Sequence, residues 1–136
     1  MAAFNYIAGS IADLTAAENI GSDQWAIALT NTIPSDTTFV AGTTDLPTGS
    51  GYTQGGNNVA TTSATESGGV QKLILADPAQ WSFTGAITFQ YALLVNKTTN
   101  KVRGYWSYPS PITTVNGDTF TVDLDGTEGV FQVNHP

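Results

Sequence analysis

Polar and apolar residues alternate one for one through much of the carboxyl-terminal half of this chain. Ile87, Phe89, Tyr91, Leu93 and Val95 occupy every second position. The polar stretch Asn96–Asn100 interrupts the run, and Val102, Gly104, Trp106 and Tyr108 resume it. A turn signal follows at Asn116–Asp118, after which Phe120, Val122 and Leu124 alternate with Thr121 and Asp123. Asp125-Gly126 is the next turn signal, and Val130, Phe131 and Val133 lie beyond it. Period-two patterning bounded by Asn, Gly and Asp predicts antiparallel strands, with Asp125-Gly126 joining two of them as a hairpin.

The same alternation appears upstream. Trp25, Ile27 and Leu29 share one face of Gln24–Thr30. Val59–Glu66 is a Thr-rich strand, Gly68-Gly69 a turn and Val70–Ala76 a returning strand. Asp77-Pro78 starts a further turn, and Trp81 and Phe83 open the terminal series. Roughly eight strands at short spacing predict an all-β fold, an antiparallel β-sandwich of jelly-roll-like form. Residues 1–136 make one domain on this reading, since the chain has 136 residues. The expected core is Trp25, Leu29, Leu73, Leu75, Trp81, Phe83, Phe89, Tyr91, Leu93, Trp106, Phe120 and Val122.

Two segments depart from the alternation. In residues 1–20, Phe4, Ile7, Ile11 and Leu14 recur at three- and four-residue spacing. That spacing predicts a short amphipathic helix with Gly21 as its stop, weakened by Gly9 and Ser10. Such a segment either closes one end of the β core or is an arm that orders against a neighbour. Residues 31–58 carry Pro34, Pro47 and five glycines, with Phe39, Val40 and Tyr52 as scattered apolar positions. This stretch reads as an extended, partly irregular excursion over the surface.

Composition narrows the chemistry. There are no cysteines, which excludes thiolate nucleophiles, Cys-ligated zinc and disulfides. Charged residues are 11% of the chain, against about a quarter in ordinary soluble domains. Sparse charge lowers the desolvation cost of extended protein contact. The net charge is -7, with only 4 basic residues, so direct nucleic-acid binding is not expected. No stretch approaches the ~20 apolar residues of a membrane span. No basic segment precedes an apolar run at the amino terminus, so no signal peptide is expected.

The sequence offers little reactive constellation. His135, the only histidine, is next to last, where a positioned imidazole is hard to hold. There is no GxGxxG, P-loop, HExxH or GxSxG motif, and the expectation is a protein that is not an enzyme and takes no cofactor. Asp118, Asp123, Asp125 and Glu128 crowd the last turns, and Asp123-Leu124-Asp125-Gly126 matches the start of a calcium loop, but no third early ligand or late Glu follows at the required spacing, which favours a plain turn over a cation site. Trp25, Trp81, Trp106, Tyr91, Tyr105 and Tyr108 offer a sugar platform on one reading and core packing on the other. Tyr105, opposite in parity to Trp106 and near Arg103, is the best exposed candidate.

Five segments in order, Gly21–Thr32, Gly51–Asn57, Tyr91–Asn96, Gly104–Tyr108 and Gly117–Gly126, resemble the small capsid decoration, or cement, proteins of tailed bacteriophages. The opening segment is richer in Ala than that family leads one to expect. The resemblance implies a non-catalytic β-sandwich on the outer surface of the virion capsid, clamping neighbouring copies of the major capsid protein. It also implies self-association, as a homodimer or homotrimer on a capsid symmetry axis. A tail-fibre, receptor-binding or carbohydrate-binding β module is the alternative. The expected contact residues are Phe4, Ile7, Ile11 and Leu14 in the opening segment, and Phe39, Val40 and Tyr52 in the excursion. All are apolar and left unexplained by the strands.

Overall fold

The computed structural model describes residues 3–10 and 19–134. Among the described residues ten strands are formed: β1 Phe4–Tyr6, β2 Trp25–Thr30, β3 Asn57–Val59, β4 Thr61–Ser67, β5 Val70–Leu75, β6 Trp81–Ser82, β7 Thr88–Asn96, β8 Lys101–Thr113, β9 Thr119–Phe120 and β10 Phe131–Asn134. They make a five-stranded sheet in the order β1-β8-β7-β2-β3, a three-stranded sheet β10-β5-β4 and a two-stranded sheet β6-β9. Every pairing is antiparallel. The fold is an all-β sandwich, as the alternation predicts.

One layer of core lies between the large sheet and the two smaller ones. Trp25, Ile27 and Leu29 from β2, and Phe89, Ala92 and Leu94 from β7, meet Leu73, Leu75, Trp81 and Phe131 there. Ten of the twelve expected core residues are buried, whereas Tyr91 and Phe120 are only half-buried. A second, smaller cluster lies on the opposite face of the large sheet. It joins Ala28, Leu93, Val95 and Val102 to Ile7 and Phe39. The large sheet is therefore covered on both faces, which is why all six residues of β2 are buried.

Strict parity fails at two irregularities between β7 and β8. Leu94 pairs with Gly104 but Val95 pairs with Val102, so Arg103 is an extra residue on β8. Val102 consequently faces the outer cluster and Trp106 the main core, although both have the same parity. The second shift separates Phe89↔Ile112 from Tyr91↔Ser107 and sets the four residues Tyr108–Pro111 against Gln90 alone, a surplus of three on β8. Pro109 and Pro111 have no N–H to give a ladder, so the surplus falls where they are. Phe89 then shares the main core with Ala92 and Leu94, while Leu93 and Val95 turn outward. The expected single face of Ile87 through Val95 is thus split by a bulge.

Two further expectations need correction. Phe4–Tyr6 form a strand, not the first turn of a helix; Ile11 and Leu14 lie outside the described residues. The strand wins because Phe4 packs its ring on Trp106 at 4.9 Å while the backbone pairs with Gly104–Trp106. Gly104 permits this approach: a Cβ there would collide with the Asn5 carbonyl and the Phe4 ring. Next, Asp125-Gly126 turns the chain but closes no hairpin, because β9 pairs with β6 and β10 with β5. Likewise the turn after Asn116 joins β8 to β9, which are not neighbours in a sheet. In both cases the turn residues set a local reversal and the core chose the partner strand.

Candidate contact surface

The excursion between β2 and β3 is held from inside by one buried carboxylate. Asp45 is 3% exposed. Its Oδ2 accepts hydrogen bonds from the Tyr52 hydroxyl at 2.6 Å and the Gly55 N–H at 2.7 Å, and its Oδ1 accepts from the Gly42 N–H at 2.7 Å. The Tyr52 hydroxyl in turn accepts from the Leu29 N–H at 3.0 Å. The Leu29 carbonyl accepts from the Leu46 N–H at 2.9 Å, so both main-chain groups of Leu29 are tied to the excursion. Burial first, and then the bond to Asp45, push the Tyr52 hydroxyl far above its ordinary pKa, so it remains a donor. Gly56 completes the anchor at φ +73, pressed so closely on β2 that a Cβ would meet the Ile27 carbonyl.

The first part of the excursion is fixed along β8. The Phe39 N–H donates to the Asn100 carbonyl at 3.0 Å, and the Val102 N–H to the Thr37 carbonyl at 2.8 Å. Phe39 puts its ring into the outer cluster. The next residue turns sharply. The Val40 carbonyl accepts from the N–H groups of Thr43 and Thr44, and the Val40 N–H donates to Thr44 Oγ1 at 2.9 Å. With its main chain satisfied in this way, Val40 presents an isopropyl group that is 52% exposed. Ile33, 42% exposed, projects from the same segment. Ile33 and Pro34 line an open depression of about 240 Å³ together with Asp36, Thr38 and Thr44. The arrangement offers two apolar projections and several hydroxyls on a fixed backbone, which is suited to docking against another surface.

Of the expected contact residues, Val40 stands on this surface. Ile7, Phe39 and Tyr52 point inward, and Phe4 is half-buried against Trp106 and Phe131. Ile7, Phe39 and Tyr52 anchor irregular backbone to the sheets, and Phe4 packs β1 onto β8. They looked unexplained in the sequence because their partners are distant in the chain. Ile33 was missed, although an apolar residue next to Pro34 in a polar stretch was a usable signal.

The other candidate sites resolve locally. Trp25, Trp81 and Trp106 are buried, so the indoles make no sugar platform. Tyr91 and Tyr105 form an edge-to-face pair at 5.8 Å, with Tyr105 half-buried against the outer cluster. Asp125 Oδ1 accepts from the N–H groups of Glu128 and Thr127 at 2.8 Å, holding its carboxyl below the ordinary value. Glu128 Oε2 accepts from Lys72 Nζ at 3.0 Å and Gln132 Nε2 at 2.8 Å, with the same effect. These oxygens are committed to a turn and a cross-strand tie. His135 lies outside the described residues. Compared with protein-family models, curated proteins and solved structures, the chain has no match in any of the three.

Proposed function

We propose that this protein is a structural virion component that binds the outside of a tailed-phage head and clamps neighbouring major capsid subunits, together with further copies of itself. The observation that carries the reading is the anchored excursion: Asp45 and Tyr52 fix a long loop from within, and Ile33 and Val40 project from it. A loop already ordered before binding loses little entropy on docking, and exposed aliphatic groups gain by being covered. Low charge and a net -7 add support, because few ions need be stripped of water and the surface does not attract packaged nucleic acid. Engaging several identical subunits together multiplies modest contacts through effective concentration.

The test is occupancy on purified heads that lack the native protein. Ile33→Asp with Val40→Asp should leave folding stability within ~0.5 kcal/mol, as expected for exposed positions, while occupancy falls about tenfold or more. Normal decoration by the double variant would place the contact elsewhere. Copurification of the intact protein with tails, and not heads, would replace the reading with a tail-fibre or receptor-binding role.

A further inference from the structure

Sheet edges differ sharply in how they are protected. β1 and β3 are three residues long, β10 four, and β6 and β9 two each. β8 carries Pro109 and Pro111 beyond its contact with β1. β4 is the exception: seven residues at the edge of the three-stranded sheet, with no proline, no lysine and Glu66 as its one charge. Among the described residues it has β5 on one side and no strand on the other. Such an edge exposes a row of main-chain donors and acceptors that can pair with another strand.

We infer that β4 pairs antiparallel with β4 of a second copy across a two-fold axis at Thr65, joining the two small sheets into one of the order β10-β5-β4-β4-β5-β10. The register follows from the hairpin. Gly68 and Gly69 have φ +60 and +83, which makes a two-residue turn with both centres left-handed. The closing pair Ser67↔Val70 therefore exchanges hydrogen bonds, and the pattern alternates from there. Ser63, Thr65 and Ser67 direct their main-chain groups to β5, and Ala64 and Glu66 direct theirs outward. A two-fold axis at Thr65 sets Ala64 opposite Glu66 of the second copy, and the reverse, giving about four main-chain hydrogen bonds.

The side chains favour a copy of the same strand. Glu66 faces Ala64 instead of another Glu66, so no like charges oppose each other. Ser63 faces Ser67 and Thr65 faces Thr65, all hydroxyl-bearing and able to pair across strands. The register also avoids the irregularity between Thr61 and Ser63. Thr65 sits opposite Lys72, on the face away from the core, while Ala64 sits opposite the buried Leu73. Thr65 is exposed, so changing it leaves the core intact. This self-contact is independent of head binding, and its test needs no capsid.

Thr65 meeting itself makes the test specific. In sedimentation velocity, the wild-type protein should move from 14.2 kDa toward twice that mass as concentration rises. Thr65→Lys and Thr65→Glu should each weaken association about tenfold or more, and an equimolar mixture of the two should restore it. Thr65→Cys should form a disulfide-linked dimer on mild oxidation, because a non-hydrogen-bonded pair places Cα atoms ~4.5 Å apart, within disulfide range. The chain has no other cysteine to confuse the result. Ser110→Cys, exposed on β8, is the control and should cross-link at least about tenfold more slowly. A wild-type protein that stays monomeric to roughly 1 mM overturns the inference. So does a Lys and Glu mixture no more associated than either alone, or equal cross-linking at positions 65 and 110.

Discussion

Replacing Asp45 with alanine should loosen the excursion and leave the sandwich folded. Asp45 has three donors: the Tyr52 hydroxyl and the N–H groups of Gly42 and Gly55, all within 2.7 Å. A hydrogen bond to a charged group contributes about 1.5–3 kcal/mol, and a buried donor left without an acceptor costs a similar amount. Removing the carboxylate also removes its own desolvation cost, which offsets part of that loss. The net expectation is about 3 kcal/mol. Tyr52→Phe removes one hydroxyl, deprives the Leu29 N–H of its acceptor and should cost about 2 kcal/mol. The two residues share a bond, so the double variant should lose at least ~1 kcal/mol less than the sum of the singles. Urea unfolding followed by tryptophan fluorescence gives all four stabilities, with an unchanged denaturant slope confirming a common transition. Single variants within ~0.5 kcal/mol of wild type, or strict additivity in the double, would refute the anchoring argument.

Two further outcomes follow from the packing and the charges. Trp106→Ala removes an indole held between Phe4 and the main core and should cost about 3–5 kcal/mol by the same unfolding measurement; a folded variant of near wild-type stability would contradict its place in the core. Asp125 and Glu128 both titrate below their ordinary values of 3.8 and 4.5 when folded, Asp125 through main-chain hydrogen bonds and Glu128 through Lys72. Depressed carboxyls stabilise the fold above those ordinary values, and the contribution disappears as pH falls through the lower folded values. Asp125→Asn with Glu128→Gln should therefore flatten stability between about pH 5 and pH 2, and an unchanged acid limb would count against the turn geometry.

Several elements were legible from the chain because they depend on near neighbours. Asn96–Asn100 was readable as a turn, and Asn96 Oδ1 does accept from the Thr98 and Thr99 N–H groups to close the β7–β8 hairpin. Gly68-Gly69 was readable in the same way. Trp25, Leu29, Leu73 and Phe89 were identifiable as core because alternation and size both marked them. Of the residues named for contact, Val40 is exposed, while Phe39 and Tyr52 are buried and hold the excursion to the sheets.

What the sequence determined by itself is the period-two backbone, the turns and the pool of apolar side chains from which a sandwich core is drawn. What tertiary structure decided is which strands meet and which face each residue takes. Arg103 and the surplus within Tyr108–Pro111 reverse facing along β8 and β7 without disturbing local propensity, because a bulge is defined only against its partner strand. The pairing of β1 with β8, of β9 with β6 and of β10 with β5 was hidden for the same reason. Asp45 reads as an ordinary loop aspartate until the fold brings Tyr52 and Leu29 around it. Alternation is a property of one strand, whereas register and the destination of a buried polar group belong to pairs that only the folded chain brings together.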